Sequence, residues 1–316
     1  MSTLTILVCE PLGEQGLAIL KQHTNFKVDI NLALSKAELI QKIPHYDCLL
    51  VRSQTEVDSA VIFAGTKLKL IGRAGVGTDN IDLDAAREKN IAVINTPSGN
   101  SLSTAEYTFA LILSAARNIP AAHQHLLAGL WSRAQFKGFE LAGKTLGIVG
   151  LGNVGRLLAE RARAFQMQVV AFDPVLGQSV FSDLQVKSLS LEDLLKSSDI
   201  VSLHCGLNPH TKHLINDKNI ALMKKNAWLI NAARGELIEP NALIKALDQG
   251  HLAGAAMDVF ATEPPAKNDP LVHHPKILAT PHLAASTDEA QTRVSTLLAE
   301  QTIGFFTGAT NLTRVI

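Results

Sequence analysis

Short apolar runs alternating with amphipathic stretches organise the first hundred residues. Runs of strand length fall at residues 4–8, 48–51, 68–72 and 91–94, and apolar positions at helical spacing occupy residues 57–64 and 83–89 between them. Strands separated by helices in this way form parallel βα units, so the segment predicts a small doubly wound sheet. Residues 95–100, Asn-Thr-Pro-Ser-Gly-Asn, are turn-forming. Ser103-Thr104-Ala105-Glu106 has the form of a capping box and predicts a helix from there to about Arg117, stopped by Pro120.

A second alternation begins at residue 144. Apolar runs at 144–150, 169–172, 200–203, 227–230, 254–257 and 277–280 predict six strands with intervening helices, a larger doubly wound sheet. The amphipathic stretch 288–306 has no comparable strand after it and is assigned back to the first domain. The expected division is therefore discontinuous, residues 1–98 with 287–316 against residues 99–286.

Composition narrows the class. A length of 316 residues suggests two domains, and 47% hydrophobic residues exclude disorder. Lys+Arg 29 balance Asp+Glu 29, so nothing favours nucleic acid or an anionic membrane as partner, and an anionic ligand needs a local cluster of donors. Cys9, Cys48 and Cys205 have no close pairing, which fits a reducing compartment rather than a disulfide framework. The first apolar run lacks a preceding basic region and a cleavage site, so it reads as a strand and not a signal peptide. A cytoplasmic protein is expected.

Gly150-Leu151-Gly152-Asn153-Val154-Gly155 is a G-x-G-x-x-G pattern between a strand and a helix. In that context Gly150 permits a tight turn, Gly152 lets backbone approach a pyrophosphate, and Gly155 lets helix pack on strand, with the helix N-terminus facing the anion. Asp173 ends the next strand; a carboxylate there accepts from a ribose diol and repels a 2′-phosphate, so NAD is expected rather than NADP.

A nicotinamide cofactor cannot itself move the accompanying proton or polarise a carbonyl, so the protein must supply a titratable group and a fixed cation. Arg234, Glu263 and His282 each follow a late apolar strand. Arg234 can grip a carboxylate bidentately beside the reacting carbonyl, and His282 can serve as acid and base. Glu263, if it meets the other ring nitrogen, fixes the tautomer. Singly, each also has a plain structural reading: a satisfied strand-end histidine, an exposed glutamate before Pro-Pro, an arginine salt bridge at a helix start. His123 and His125, two apart on a helix, point to different sides, and no metal is assigned.

Taken together, Gly72-Arg73-Ala74-Gly75-Val76-Gly77-Thr78-Asp79-Asn80-Ile81-Asp82, Asn95-Thr96-Pro97 through Glu106, Ala232-Ala233-Arg234-Gly235, Asp258 through Pro265, and Pro281-His282-Leu283-Ala284-Ala285-Ser286-Thr287 resemble the D-isomer-specific 2-hydroxyacid dehydrogenases, within them the D-3-phosphoglycerate dehydrogenases. The resemblance covers nearly the whole chain. It implies an α/β protein of two doubly wound parallel-sheet domains, a Rossmann NAD-binding domain and a smaller flavodoxin-like substrate domain. It implies that Arg234, Glu263 and His282 are catalytic. It implies cofactor contacts from Gly150, Gly152, Asn153, Val154, Gly155, Asp173, Pro174, His204, Cys205, Ala232, Asp258 and Ala285. Substrate contacts fall to Arg52, Ser53, Arg73, Gly75, Val76, Gly77, Asn100 and Arg133, the N–H groups of residues 75–77 holding a carboxylate and the three arginines a phosphate. Closure about hinges near Pro97 and Ser286 and homodimerisation through residues 101–140 are further expectations.

The chain departs from the family pattern at His204-Cys205-Gly206-Leu207, where relatives usually carry His-x-Pro-Leu. It ends at Ile316, whereas many phosphoglycerate dehydrogenases continue into regulatory domains, so a short form without feedback control by serine is expected. The expected reaction interconverts 3-phosphoglycerate and 3-phosphohydroxypyruvate. The alternatives are a hydroxypyruvate or glyoxylate reductase and, in another class, an NADH-sensing binding protein that keeps the fold.

Overall fold

The computed structural model describes residues 3–316. The chain divides into two compact units, residues up to Ser101 together with Ser286–Ile316, and Leu102–Ala285.

The first unit is a five-stranded parallel sheet of β1 (Leu4–Val8), β2 (Phe26–Ile30), β3 (Cys48–Val51), β4 (Leu70–Arg73) and β5 (Ala92–Asn95), in the order β2-β1-β3-β4-β5. Successive side chains leave a strand on opposite faces, and both faces here are covered. Leu7, Leu49, Val51, Ile71 and Val93 pack with Leu39, Ile43, Val61, Ile62 and Ala86 on one side. Ile6, Val8, Leu50, Leu70 and Ile94 meet Leu20, Val294, Leu298 and Ala299 on the other. The last three belong to the helix Asp288–Thr307, which Thr287 caps through the Ala290 N–H at 3.1 Å. A Cβ on Gly16 would stand 2.3 Å from the Ser295 carbonyl oxygen, so only glycine lets the helix Glu14–Gln22 pass this helix so closely.

The sequence predicts four strands here and misses β2. Phe-Lys-Val-Asp-Ile, an edge strand, interrupts its apolar residues with Lys27 and Asp29 and leaves no continuous run. The helix expected from Ser103 starts at Ser101, so Ser103 and Glu106 lie inside it and form no capping box. Pro120 does not stop that helix. It ends at Arg117, Asn118 turns left-handed at φ +55°, and Pro120 sits in the first turn of a new helix, Ile119–Leu127, where its missing N–H costs nothing.

The second unit holds seven parallel strands, not six: β6 (Thr145–Val149), β7 (Gln168–Phe172), β8 (Lys187–Ser188), β9 (Ile200–Leu203), β10 (Trp228–Asn231), β11 (Gly254–Met257) and β12 (Ile277–Ala279). Their order is β12-β11-β10-β9-β6-β7-β8, with the additional β8 a two-residue edge strand. Strand order reverses at β6, the switch point where doubly wound sheets bind ligands beyond the strand carboxyl ends.

At the opposite, amino ends, the two units use one device. Asp47, before β3, accepts the Thr5 N–H at 3.0 Å and the Lys69 ammonium at 3.0 Å. Asp199, before β9, accepts the Thr145 N–H at 2.8 Å and the Lys224 ammonium at 3.1 Å. Burial pushes both carboxyls up, but these donors outweigh it and hold them below the ordinary aspartate value. Among the described residues no helix is long and apolar enough to cross a membrane.

Candidate active site

The glycine loop follows β6. Gly150 takes φ +96°, and a Cβ there would lie 2.7 Å from the Cys205 nitrogen, so the turn is open to glycine alone. A Cβ on Gly155 would lie 2.3 Å from the Gly150 carbonyl oxygen, the mark of a helix seated tightly on its strand. Gly152 differs: nothing of the protein lies within 4 Å of its Cβ position. That open space fronts the N-terminus of the helix Asn153–Ala164, a cradle that fits a pyrophosphate. Asp173 accepts the Leu151 N–H at 2.9 Å and the Val175 N–H at 3.0 Å, which ties the end of β7 to the glycine loop. Pro174 beside it is exposed.

After β9 the His204 ring turns to Ser202, Nε2 to Oγ at 2.8 Å, and burial pushes its pKa down to about 4. The imidazole is neutral at physiological pH. Burial, aided by the Asp173 charge, pushes the Cys205 thiol up to about 11.

Three adjacent strands carry the remaining candidates. Beyond β10, the buried Asn231 holds the turn that follows, its amide donating to the Arg234 carbonyl at 2.8 Å and its oxygen accepting the Ala233 N–H at 3.0 Å. Gly235 lets this turn touch the segment after β11: a Cβ there would meet the Phe260 carbonyl carbon at 2.1 Å. On that segment Glu263 Oε1 accepts the Phe260 N–H at 3.0 Å, and Oε2 meets His282 Nδ1 at 2.6 Å. Burial pushes the Glu263 carboxyl up. The hydrogen bonds from His282 and Phe260 and the charges of His282 and Arg234 more than offset this, and it titrates below its usual range.

His282 sits at φ +53°, a left-handed conformation that strains a non-glycine residue. Asp258, fully buried, fastens the segment on either side of it. Its carboxylate accepts Thr280 Oγ1–H at 2.7 Å, Leu283 N–H at 2.9 Å and Ala284 N–H at 2.8 Å, and its carbonyl accepts the His282 N–H at 2.8 Å. Sequence reasoning gives Asp258 only a cofactor contact and passes over Asn231 and Thr280. A polar residue closing or following an apolar strand is the only signal any of them leaves in the sequence.

With Nδ1 facing a carboxylate, the His282 ring carries its proton there, and Nε2 is the nitrogen left to take or give a proton. The pair is half-exposed, side chains 43% and 35% accessible, so a small molecule can reach it. Ala232 is buried before Arg234, and Ala285 closes the unit.

Residues 109–284 match the NAD binding domain of the D-isomer specific 2-hydroxyacid dehydrogenases. The chain belongs to that family. D-3-phosphoglycerate dehydrogenase of Methanocaldococcus jannaschii is 47% identical over 297 residues, 94% of this chain and 56% of that protein. The Bacillus subtilis D-3-phosphoglycerate dehydrogenase is 46% identical over 303 residues, 96% of this chain and 57% of that protein. The chain thus spans little more than half the length of these relatives. A glyoxylate reductase structure from Paecilomyes thermophila superposes with a TM-score of 0.91 at 29% identity, covering 100% of this chain and 99% of that one.

Other family-implied positions lie in the first unit. Arg52 follows β3, and Arg73 ends β4 level with Val51. The Gly75-Val76-Gly77 loop is pinned by Thr96 and Asn95: the Gly75 N–H donates to Thr96 Oγ1 at 2.8 Å, and the Asn95 amide donates to the Val76 carbonyl at 2.7 Å. The Gly75 N–H is thus engaged within the protein, which leaves it no part in holding a carboxylate. Ser53 is exposed on the loop after β3, and Asn100 directly precedes the helix Ser101–Arg117. Arg133 belongs to the second unit, on an exposed 3-10 turn, and is not grouped with the other two arginines in one unit.

Proposed function

We propose that this protein is an NAD-dependent D-2-hydroxyacid dehydrogenase that interconverts 3-phosphoglycerate and 3-phosphohydroxypyruvate. The observation that carries the reaction class is the 2.6 Å contact between His282 and Glu263 with Arg234 on the neighbouring strand end. Bound NAD supplies the acceptor for the two electrons that leave the carbinol carbon. His282 Nε2 takes the hydroxyl proton during oxidation and returns it during reduction, while Glu263 stabilises the imidazolium that forms. Arg234 grips the carboxylate and polarises the adjacent carbonyl, its charge independent of working pH. The Val76 and Gly77 N–H groups add carboxylate donors, and Arg52, Arg73 and Arg133 supply cations for the phosphate.

Purified protein is assayed for NADH oxidation with 3-phosphohydroxypyruvate, hydroxypyruvate and glyoxylate, with NADPH as control and Arg133→Ala beside the wild type. The reading expects preference for the phosphorylated acid and its loss in the variant. Equal or better turnover of the small acids moves the assignment to a general reductase, which the likeness to a glyoxylate reductase favours.

A homodimer through residues 101–140 is part of the same reading. The helix Ile119–Leu127 has no buried residue, and Leu127 and Trp131 are 67% and 78% exposed, an apolar surface that a second copy would cover. Sedimentation of Leu127→Asp against wild type tests it, a dimeric variant counting against this surface. The cytoplasm is the proposed compartment, supported by three cysteines that are all free thiols.

A further inference from the structure

The loop after β3, residues 52–55, is gripped from two sides by side chains outside it. Glu10, two residues beyond β1 and 5% exposed, devotes its carboxylate to this loop. Its Oε1 accepts the Arg52 N–H at 2.8 Å and the Thr55 N–H at 2.9 Å, and Oε2 accepts the Gln54 N–H at 3.2 Å. Asn80 Nδ2 donates to the Arg52 carbonyl at 2.9 Å and to the Thr55 carbonyl at 2.7 Å. Arg52 Nη1 leans on the Pro11 carbonyl at 3.3 Å, so consecutive residues take the backbone and the side chain of one arginine.

A carboxylate this buried is tolerable only when hydrogen-bonded, and the loop supplies those donors. Five hydrogen bonds fall on three residues of this loop, Arg52, Gln54 and Thr55. Their effect is to remove backbone freedom from Arg52 before any ligand arrives. A guanidinium that must meet a tetrahedral anion on two N–H groups gains most from such pre-organisation.

We propose that Glu10 and Asn80 are positioning residues that fix Arg52 for the phosphate of the substrate. This rests on the reading of Arg52 as a phosphate contact. Neither side chain touches the substrate, and both act through the 52–55 loop. The carboxylate and carbonyl of the substrate are handled elsewhere, so loosening this loop weakens recognition of the phosphorylated acid and spares an unphosphorylated one.

Steady-state NADH oxidation is measured for wild type, Glu10→Gln, Asn80→Ala and Arg52→Ala against 3-phosphohydroxypyruvate and hydroxypyruvate. Glu10→Gln keeps the side-chain volume but sets an amide NH2 against the Gln54 N–H. Asn80→Ala removes both carbonyl contacts and no charge, and it decides the matter should Glu10→Gln fail to fold. In both, KM for the phosphorylated acid rises about tenfold, the scale of one charge-assisted hydrogen bond, with kcat and the KM for hydroxypyruvate within about twofold of wild type. A purely structural role would move both substrates together, so equal losses, or an unchanged KM for the phosphorylated acid, refute the proposal. If Arg52→Ala raises that KM and the other two variants do not, positioning alone is refuted. If Arg52→Ala leaves it untouched, the phosphate reading of Arg52 is at fault and the proposal falls with it. Wild-type protein that ignores the phosphorylated acid refutes the functional reading itself.

Discussion

Adding one methyl group at Gly235 should disable the site without touching any residue that does chemistry. The new Cβ would stand 2.1 Å from the Phe260 carbonyl carbon and 2.3 Å from the Ala261 nitrogen, whereas ordinary contact begins at 3.4 Å. The shortfall exceeds 1 Å, and both obstacles are backbone, so neither can swing away as a side-chain tip would. Either the Arg234 turn or the segment leading to Glu263 must retreat by about that distance. A displacement of about 1 Å at a reacting constellation costs on the order of 100-fold in rate, or roughly 2.7 kcal/mol of barrier. Overpacking of this kind also lowers stability by about 1–3 kcal/mol. The assay is kcat for the ketoacid in the NADH-dependent direction, with thermal unfolding and NADH affinity in parallel. The expectation for Gly235→Ala is a fall of about two decades in kcat, a Tm lowered by several degrees, and a loss of NADH affinity much smaller than the loss of kcat, because the glycine loop lies on another strand. Wild-type kcat and Tm in this variant would mean that the two segments do not meet as described.

The same substitution elsewhere should do the reverse. Gly152→Ala, with nothing of the protein within 4 Å, leaves the Tm of the apo protein unchanged and weakens NADH by tenfold or more, on the order of 1.4 kcal/mol; an unchanged Kd would mean that the space is not the pyrophosphate cradle. Asp258→Asn sets an amide against a backbone N–H, costs about 1–3 kcal/mol and lowers kcat as the His282 segment loosens, measured by chemical unfolding and turnover. His204, pushed from 6.5 down to about 4, takes up its proton more readily when unfolded, so the protein loses stability as pH falls from about 6.5 towards 4, by up to about 3 kcal/mol. His204→Gln should flatten that limb in urea titrations, and an identical pH profile would refute the assignment. Glu263, held below its ordinary value, contributes stability that is present above about 4.5 and lost as pH drops through its lowered pKa; Glu263→Gln should steepen nothing above pH 5 and soften the fall below it.

The strands legible in the sequence are those with an unbroken apolar run. Cys48–Val51 and Ile200–Leu203 are wholly apolar or nearly so because parallel strands inside a doubly wound sheet meet helices on either side. β2 and β8 escape the same reading, since Phe-Lys-Val-Asp-Ile breaks its apolar run with charges and Lys-Ser offers no apolar run, whereas the edge strands β5 and β12 keep theirs. Pro120 illustrates a different failure: proline forbids a helix interior but suits a helix start, and the residue alone does not say which. At the site, the strand-end positions of Arg234, Glu263 and His282 follow from pattern. The contacts that aim them do not. Asp258 reaches three donors across 22 to 26 residues of sequence, and Glu10 reaches its loop across more than 40, separations at which no local periodicity exists. The Thr96 hydroxyl that occupies the Gly75 N–H is likewise visible only once β4 and β5 lie side by side.

Asp47 and Asp199 close the amino ends of the two sheets, far along each strand from the carboxyl-end loops that hold the candidate chemistry. Fastening and function therefore occupy opposite rims of the same strands. Such a layout makes the two independently adjustable: the carboxyl-end loops can change length and residue type while the rim that locks β1 to β3 and β6 to β9 is left alone. It also tells an engineer where tolerance lies. Substitutions that strengthen the Asp47 and Asp199 clasps can raise robustness without entering the geometry around His282, and a library aimed at new substrates can spare those two carboxylates and vary the opposite rim.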